Sequence, residues 1–433
     1  MAQKPAITPG PAPDPTPPQA PQGKPSRLSP ARYPMFESFQ YRDFRWLWMG
    51  GLVSFMAMNM QMITRGWLVL RLQDDSPLAL ALVMLSFAAP QTFVSLIGGA
   101  LADRLPRKYM VIVSQSGNAL MTLLLGILDF TGVIEFWHVL LIGVGNGSMM
   151  AFNMPSRAAI VTEIVPERSL VNAISLNNSG MNLTRIIGPA LAGFLIVFID
   201  TSGVFFIVTG IYVFAVLSMF MVKAGSTAAS RSRKSIAGDI KAGIGYAFSD
   251  ARLKGLVLLA LISTLFGFSF WALMPAWARE ALNVQSDGLG MLMMIMGVGA
   301  LAGTLGLAGI RNLKFKGRVL LASCLIWGVA LAIFSQLTSY AAAVPFLLVI
   351  GVVSSLFMSL NMTLLQVLAA PEMRGRMTSI NMMTFGAMPL SSLPFGAAAE
   401  RIGTPDALMI SGILLGSLTL IFALSNRTFR NIQ

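Results

Sequence analysis

Residues 223–254, KAGSTAASRSRKSIAGDIKAGIGYAFSDARLK, carry seven Lys or Arg and divide a chain that is otherwise mostly apolar blocks. Six blocks precede this stretch, at roughly 45–70, 78–101, 109–129, 138–156, 172–199 and 203–222. Six follow it, at roughly 255–278, 288–310, 318–337, 343–365, 377–399 and 406–425. Each is close to the ~20 residues that a helix needs to cross the hydrocarbon of a bilayer. The two sides repeat one another. Val165-Pro-Glu-Arg168 before one block matches Ala370-Pro-Glu-Met-Arg374 before another, and Pro166 and Pro371 stand 205 positions apart, as do Pro189 and Pro394. The expectation is an all-α, polytopic membrane protein of twelve transmembrane helices in two pseudo-symmetric six-helix bundles, hinged on the basic stretch.

Composition agrees with that pattern. Of the 433 residues 55% are hydrophobic and 11% charged, with mean hydropathy +0.71, whereas a soluble domain carries about 25% charged residues. The formal charge of +13 could point to nucleic acid, but its distribution excludes that partner. We place 25 of the 31 Lys and Arg in tails and loops on one side. On the other side stand Arg71, Arg279 and Arg401, while Arg45, Arg65 and Arg185 lie within or at the ends of spans. Basic loops stay in the cytoplasm, facing anionic lipid, so both termini and the 223–254 linker are expected there. Cys324 is the single cysteine and His138 the single histidine, so neither a disulfide nor a Cys/His metal cluster is expected, and no cofactor.

The domain reading follows in chain order. Residues 1–43 form a Pro-rich, disordered cytoplasmic tail and surface segment; residues 1–34 hold eleven prolines and no apolar core of signal-peptide length. Residues 44–222 form the first bundle and 255–425 the second, with 426–433 a cytoplasmic tail. In the linker, Ile236, Ile240, Ile244 and Phe248 recur every four residues, which predicts an amphipathic helix at the membrane surface or against the bundle. Gly143 and Gly147, and Gly299 and Gly303, are small-xxx-small pairs suited to close helix packing.

Polar groups inside spans are costly and therefore candidate functional residues. Ser54, Met58, Gln61 and Arg65 share one face of the first span; Asn178, Asn182, Arg185 and Pro189 share a face of the fifth. The fourth span adds Asn146, Asn153 and Arg157, and the tenth adds Asn361. We take Gln61, Arg65, Asn146, Asn153, Asn178, Asn182, Arg185 and Asn361 as lining a cavity for a small amphipathic substrate with a polar or anionic group. Arg185, nearer mid-span, is expected in the lower dielectric and Arg65 toward the outer end, where it can also pair with Asp75 or Asp129. No acid falls in the middle third of any span; Asp129, at the end of the third, is the candidate proton carrier. His138 reads as an interfacial residue.

After the second span the sequence runs Gly99-Ala-Leu-Ala-Asp103-Arg104-Leu-Pro106-Arg107-Lys108, which resembles the cytoplasmic signature of the major facilitator superfamily. That resemblance implies that Gly99, Asp103, Arg104 and Arg107 latch the two halves in the outward-facing state, with Arg376 as a candidate partner. Phe44-Arg-Trp-Leu-Trp48, Arg65-Gly-Trp-Leu-Val69, Ser76-Pro-Leu-Ala-Leu80 and Pro371-Glu-Met-Arg-Gly-Arg376 look like the drug/proton antiporter group of macrolide efflux proteins and enterobactin exporters, over most of residues 44–400. Many of those relatives carry an aspartate mid-way along the first span, where Ala57, Met58 and Asn59 stand here. The implied function is proton-coupled export by alternating access, from a monomer in the bacterial inner membrane. An importer of the same architecture and a non-transporting assembly partner are the competing readings; an enzyme is excluded by the lack of a ligand cluster or phosphate loop.

Overall fold

Fifteen helices follow from the apolar blocks and their breaks in a computed structural model that describes residues 34–102, 106–223, 236–310, 315–370, 373–430 and 432. A 3₁₀ turn, Pro34–Gln40, leads into α1 (Arg42–Leu72), α2 (Pro77–Ala102), α3 (Arg107–Phe130), α4 (Phe136–Ile164) and α5 (Glu167–Phe220). The linker supplies α6 (Ile236–Ser249). Then come α7 (Ala251–Ile262), a π-helical turn (Ser263–Gly267), α8 (Ser269–Leu282), α9 (Ser286–Gly309), α10 (Lys316–Ser335) and α11 (Tyr340–Leu368). The chain ends with α12 (Arg374–Gly386), α13 (Met388–Ile402), α14 (Thr404–Ser425) and α15 (Arg427–Arg430). The tail up to residue 33, most of the basic linker before Ile236, and Pro371 lie outside the described residues.

Among the described residues, eight stretches are long and apolar enough to cross a membrane. The longest, Glu167–Phe220, has 54 residues, about 80 Å as one rod against a hydrocarbon core of about 30 Å. It does not run straight. Asp200 breaks it at φ 58°, ψ 178°, a region that L side chains rarely occupy, and the chain turns back there, between the two blocks expected at 172–199 and 203–222. The 31 residues of α1 and 29 of α4 are long enough but carry the buried arginines and asparagines that dilute their hydropathy. A further stretch is divided at Ala387 into α12 and α13.

Packing sorts the helices. In the first half α1 lies on α5, α2 on α4, and α3 on both α4 and α5; in the second α9 lies on α11, α10 on α11 and α14, and α13 on α14. Gly299 and Gly303 let α9 touch the α11 backbone: a Cβ on Gly299 would stand 2.3 Å from the Leu348 carbonyl oxygen. The two sets meet where α5 crosses α9 and α2 crosses α13. At the first crossing backbone meets backbone. A Cβ on Gly193 would lie 2.3 Å from the Ser286 carbonyl oxygen, and one on Gly290 2.7 Å from that of Pro189.

The helix ends differ. At the basic end, Lys108 donates to the carbonyls of Phe220 and Val222, Arg107 pairs with Glu163, and the Lys223 N–H donates to Asp43. At the short-loop end, Arg71 pairs with Asp129 and Asp200, and Thr201 donates to Asp129. Ties between the two sets also gather there. Arg279 pairs with Asp75 at 2.9 Å and lies over the Trp67 ring, and Glu400 accepts from the Ser76 hydroxyl and the Leu78 N–H at the start of α2. His138 caps α4: its Nδ1 accepts the Glu135 N–H while the Glu135 side chain caps the first turn. Large apolar side chains such as Phe93, Phe130, Phe198, Leu217, Leu390 and Leu424 face outward, exposed, as lipid contact requires. The predicted linker helix is α6, packed on α7 and α12 with Ile244 and Phe248 exposed.

Candidate functional site

A cavity of about 290 Å³ lies where the sets meet, walled by α1, α2, α8, α9 and α13. Its polar wall comes from Asn59, Gln61, Arg65 and Gln91; its apolar wall includes Phe87 and Trp271 and five methionines, among them Met293 and Met388. Unbranched methionines fill irregular space and adapt to varied ligands.

Behind the polar wall stands a buried hydrogen-bond network. Arg65 Nη2 donates to Asn146 Oδ1 at 3.3 Å, and Asn146 Nδ2 donates to Asn118 Oδ1 at 3.0 Å. Gln61 Nε2 donates to Thr122 Oγ1 at 2.9 Å and accepts from the Tyr212 hydroxyl at 3.4 Å. The helical spacing places these groups: Gln61 and Arg65 share a face of α1, and Asn118 and Thr122 a face of α3. Arg65 Nε has no partner. Among the described residues no carboxylate pairs with Arg65, Arg157 or Arg185. A buried cation without a counter-ion attracts an anionic ligand, since desolvating the guanidinium is otherwise uncompensated. Among these residues no cluster of His, Cys, Asp or Glu has the makings of a metal site.

The remaining sequence-predicted residues scatter around this site. Asn153 is buried with Nδ2 unpartnered, one turn from Arg157, which donates to the Leu47 carbonyl and fits because Gly51 leaves it room. Asn178 and Arg185 are exposed and Asn182 half-buried on α5. Arg185 is solvent-accessible about midway between the start of α5 at Glu167 and its break at Asp200. Exposure is thus the reverse of expectation: Arg65 is 7% exposed and Arg185 is open. Neither Asp75 nor Asp129 meets Arg65; their partners are Arg279 and Arg71.

Asn361 lines a second cavity of about 190 Å³ with Thr264, Phe268, Phe357, Met358 and Asn381. Its Nδ2 donates to Asn381 Oδ1 at 3.2 Å, and its own Oδ1 is buried and unpartnered. Of the latch residues, Asp103 and Arg104 lie outside the described residues and Gly99 is on α2. Arg107 is held by Glu163 on its own half, and Arg376 packs beside Gly243 of α6 and donates to Met373 Sδ.

Sequence reasoning did not single out Tyr212, Gln91, Trp271 or Asn381. Asn118 and Thr122 were visible as a polar pair on the third span, and Gln115, which donates to Ser54 at 2.6 Å, extends that stripe by one more turn. Tyr212 stands without such a stripe, whereas Asn381 follows Thr378 and precedes Thr384 at intervals of three on α12.

The family model described as transmembrane secretion effector, of major facilitator type, matches residues 34–430. Among curated relatives, the chain is 25% identical over 373 residues to the staphyloferrin A transporter of Staphylococcus aureus, covering 84% of this chain and 91% of that protein. It is 24% identical to macrolide efflux protein A of Streptococcus pyogenes (88% and 96% covered) and 23% to the multidrug efflux pump Tap of Mycolicibacterium fortuitum (81% and 88%). Solved structures with the same fold include an inward-facing, occupied bacterial homologue of the human lysosomal transporter spinster, at TM-score 0.72 and 14% identity over 91% of this chain and 99% of that one. A POT family transporter in complex with 5-aminolevulinic acid gives TM-score 0.73 at 11% identity, over 90% and 97%.

Proposed function

The chain belongs to the transmembrane secretion effectors, a family of multi-pass major facilitator transporters, and on that premise we propose that it exports an amphipathic, anionic small molecule by proton-coupled alternating access. The observation that carries this reading is the cavity between the two helix sets, with a buried arginine lacking an acidic partner on one wall and methionines and aromatics on the others. Such a wall orients an anionic group, and the apolar remainder accepts the body of the ligand.

The architecture we infer is twelve spans in two six-helix bundles. Dividing Glu167–Phe220 at Asp200 and adding α1, α4 and the α12–α13 pair to the other apolar stretches supports that count. Both termini and the basic linker lie in the cytoplasm of a bacterial inner membrane, with the short loops outside. The inter-set ties at the short-loop end support a state closed to the outside. Staphyloferrin A, named for one relative, supplies the anionic substrate to try first, and a macrolide, the class named for another, the non-anionic comparison. The protein works as a monomer, and Asp129 carries the coupling proton: protonation would free Arg71 and Thr201 at the outer end, and with them the turn at Asp200.

The test is flux in proteoliposomes. Under an imposed pH gradient the purified protein is expected to move staphyloferrin A against the proton flow, and Asp129→Asn is expected to lose gradient-driven movement while keeping exchange. Movement with the proton flow would make it an importer; no exchange of any compound would leave it a non-transporting partner.

A further inference from the structure

The cavity beside Arg65 is small for a drug-sized molecule. Its volume of about 290 Å³ sits at the lower limit of ligand pockets, about 300–1,000 Å³. The second cavity, about 190 Å³, is stacked beside it along the same two irregular stretches. Thr264 of the second cavity precedes Trp271 of the first by seven residues, and Asn381 precedes Met388 by seven, an axial step of about 10 Å at 1.5 Å per residue. Both stretches are interrupted: the π-helical turn Ser263–Gly267 carries Thr264 into the second cavity, and α12 gives way to α13 at Ala387, between Asn381 of the second and Met388 of the first. Interrupted helices in a membrane occur where a cavity or protein satisfies the freed backbone, and π-turns gather at functional sites.

The two cavities differ in chemistry. No charged side chain lines the second; its polar groups are Thr264, Ser359, Asn361 and Asn381, among Phe and Met. Asn361 is 2% exposed. Because its Nδ2 is spent on Asn381 Oδ1, the group left unpartnered is an acceptor, and a buried acceptor without a donor costs about 1–3 kcal/mol.

We propose that the second cavity is a separate, charge-free subsite, which receives an uncharged portion of the substrate bearing a hydroxyl or N–H donor while its anionic group is at Arg65. This deepens the proposed function and rests on its placement of the anion. The substrate class is an elongated anion whose charged end and neutral donor are at least one such step apart.

A molecular ruler tests it. Binding of ω-hydroxyalkanoates of eight to twelve carbons, and of the matching alkanoates, is measured on the full-length protein in nanodiscs against empty nanodiscs. One hydroxy acid of the series is expected to bind roughly tenfold tighter than its alkanoate, the equivalent of about 1.4 kcal/mol. Asn361→Leu should abolish that advantage, so that no hydroxy acid binds tighter than its alkanoate. Met358→Trp, which enlarges a side chain lining the cavity and keeps Asn361 and Asn381, should cut binding of the longest members of both series. The proposal is overturned if no length shows a hydroxyl advantage in the wild type, if neither series binds, or if the advantage survives in Asn361→Leu and Met358→Trp leaves the long members unaffected. The anion placement fails separately: Arg65→Gln would then leave both series bound as before, while the hydroxyl advantage still depended on Asn361.

Discussion

The polar stripes of α1 and α5 have the same spacing, each ends in an arginine or reaches one, and their surroundings are opposite. Gln61 and Arg65 are buried and held by partners from α3, α4 and α5. Asn178, Asn182 and Arg185 stand half-buried or open, and among the described residues Arg185 forms no hydrogen bond or ion pair. Periodicity establishes that residues share a face; it does not say what covers that face. A fixed guanidinium in a dry wall discriminates by geometry, because it pays no reorganisation when ligand arrives, whereas a solvated one attracts anions at longer range and is screened.

Breaking the buried side should give the largest effect. Arg65→Gln removes a charged donor from the cavity wall and leaves Asn146 Oδ1 without it; hydrogen bonds to charged groups contribute about 1.5–3 kcal/mol. The expected result is a loss of about ten- to one-hundredfold in binding of an anionic substrate, a smaller loss for a neutral analogue, and a lowered melting temperature. Arg65→Lys should recover part of the affinity without the planar geometry. Equal losses for both ligands would make Arg65 a helix tie only.

Arg185→Gln sharpens the contrast. The expected loss of anion binding is about tenfold or less at low salt, shrinking as ionic strength rises, with the melting temperature unchanged because no partner is lost. A salt-independent loss, or a fall in stability, would return Arg185 to the same class as Arg65.

The smallest effect is expected at the outer tie. Arg279 and Asp75 are 40% and 48% exposed, and after discounting for solvent an exposed pair contributes about 0.2–1 kcal/mol. Arg279→Gln should therefore shift the balance between inward-open and outward-open states by a factor of about five at most, read by spectroscopic distances across the short-loop end. No shift would mean that the Glu400 tie to the start of α2 and the α5–α9 contact hold that end shut without it.

Much of the fold was legible because lipid imposes it. Length and hydropathy marked the helices, and the break at Asp200 fell between two blocks already separated in the sequence. Gln61 and Arg65 share the face of α1 that their spacing implied, and Arg65 meets Asn146 of α4. Less visible was anything that depends on which helix faces which. Tyr212 reaches Gln61 from 151 positions away, and Asn381, in a short polar stripe with Thr378 and Thr384, meets Asn361 of the preceding helix. The π-turn at Ser263–Gly267 was equally hidden, since one extra residue in a turn leaves no compositional mark. Asp103 and Arg104 rest on the family resemblance, outside the described residues.

The bare contact of Gly193 with α9 bears on how such a molecule would move. Helices that mesh through side chains settle into discrete registers, because each ridge must climb out of its groove before it reaches the next. Where two glycine backbones meet there is no ridge to climb, so one helix can pivot on the other as on a smooth bearing. Rocking about that point would then pass between its end states without a populated halfway position, and Gly193→Leu, by adding a tooth to the bearing, would jam it.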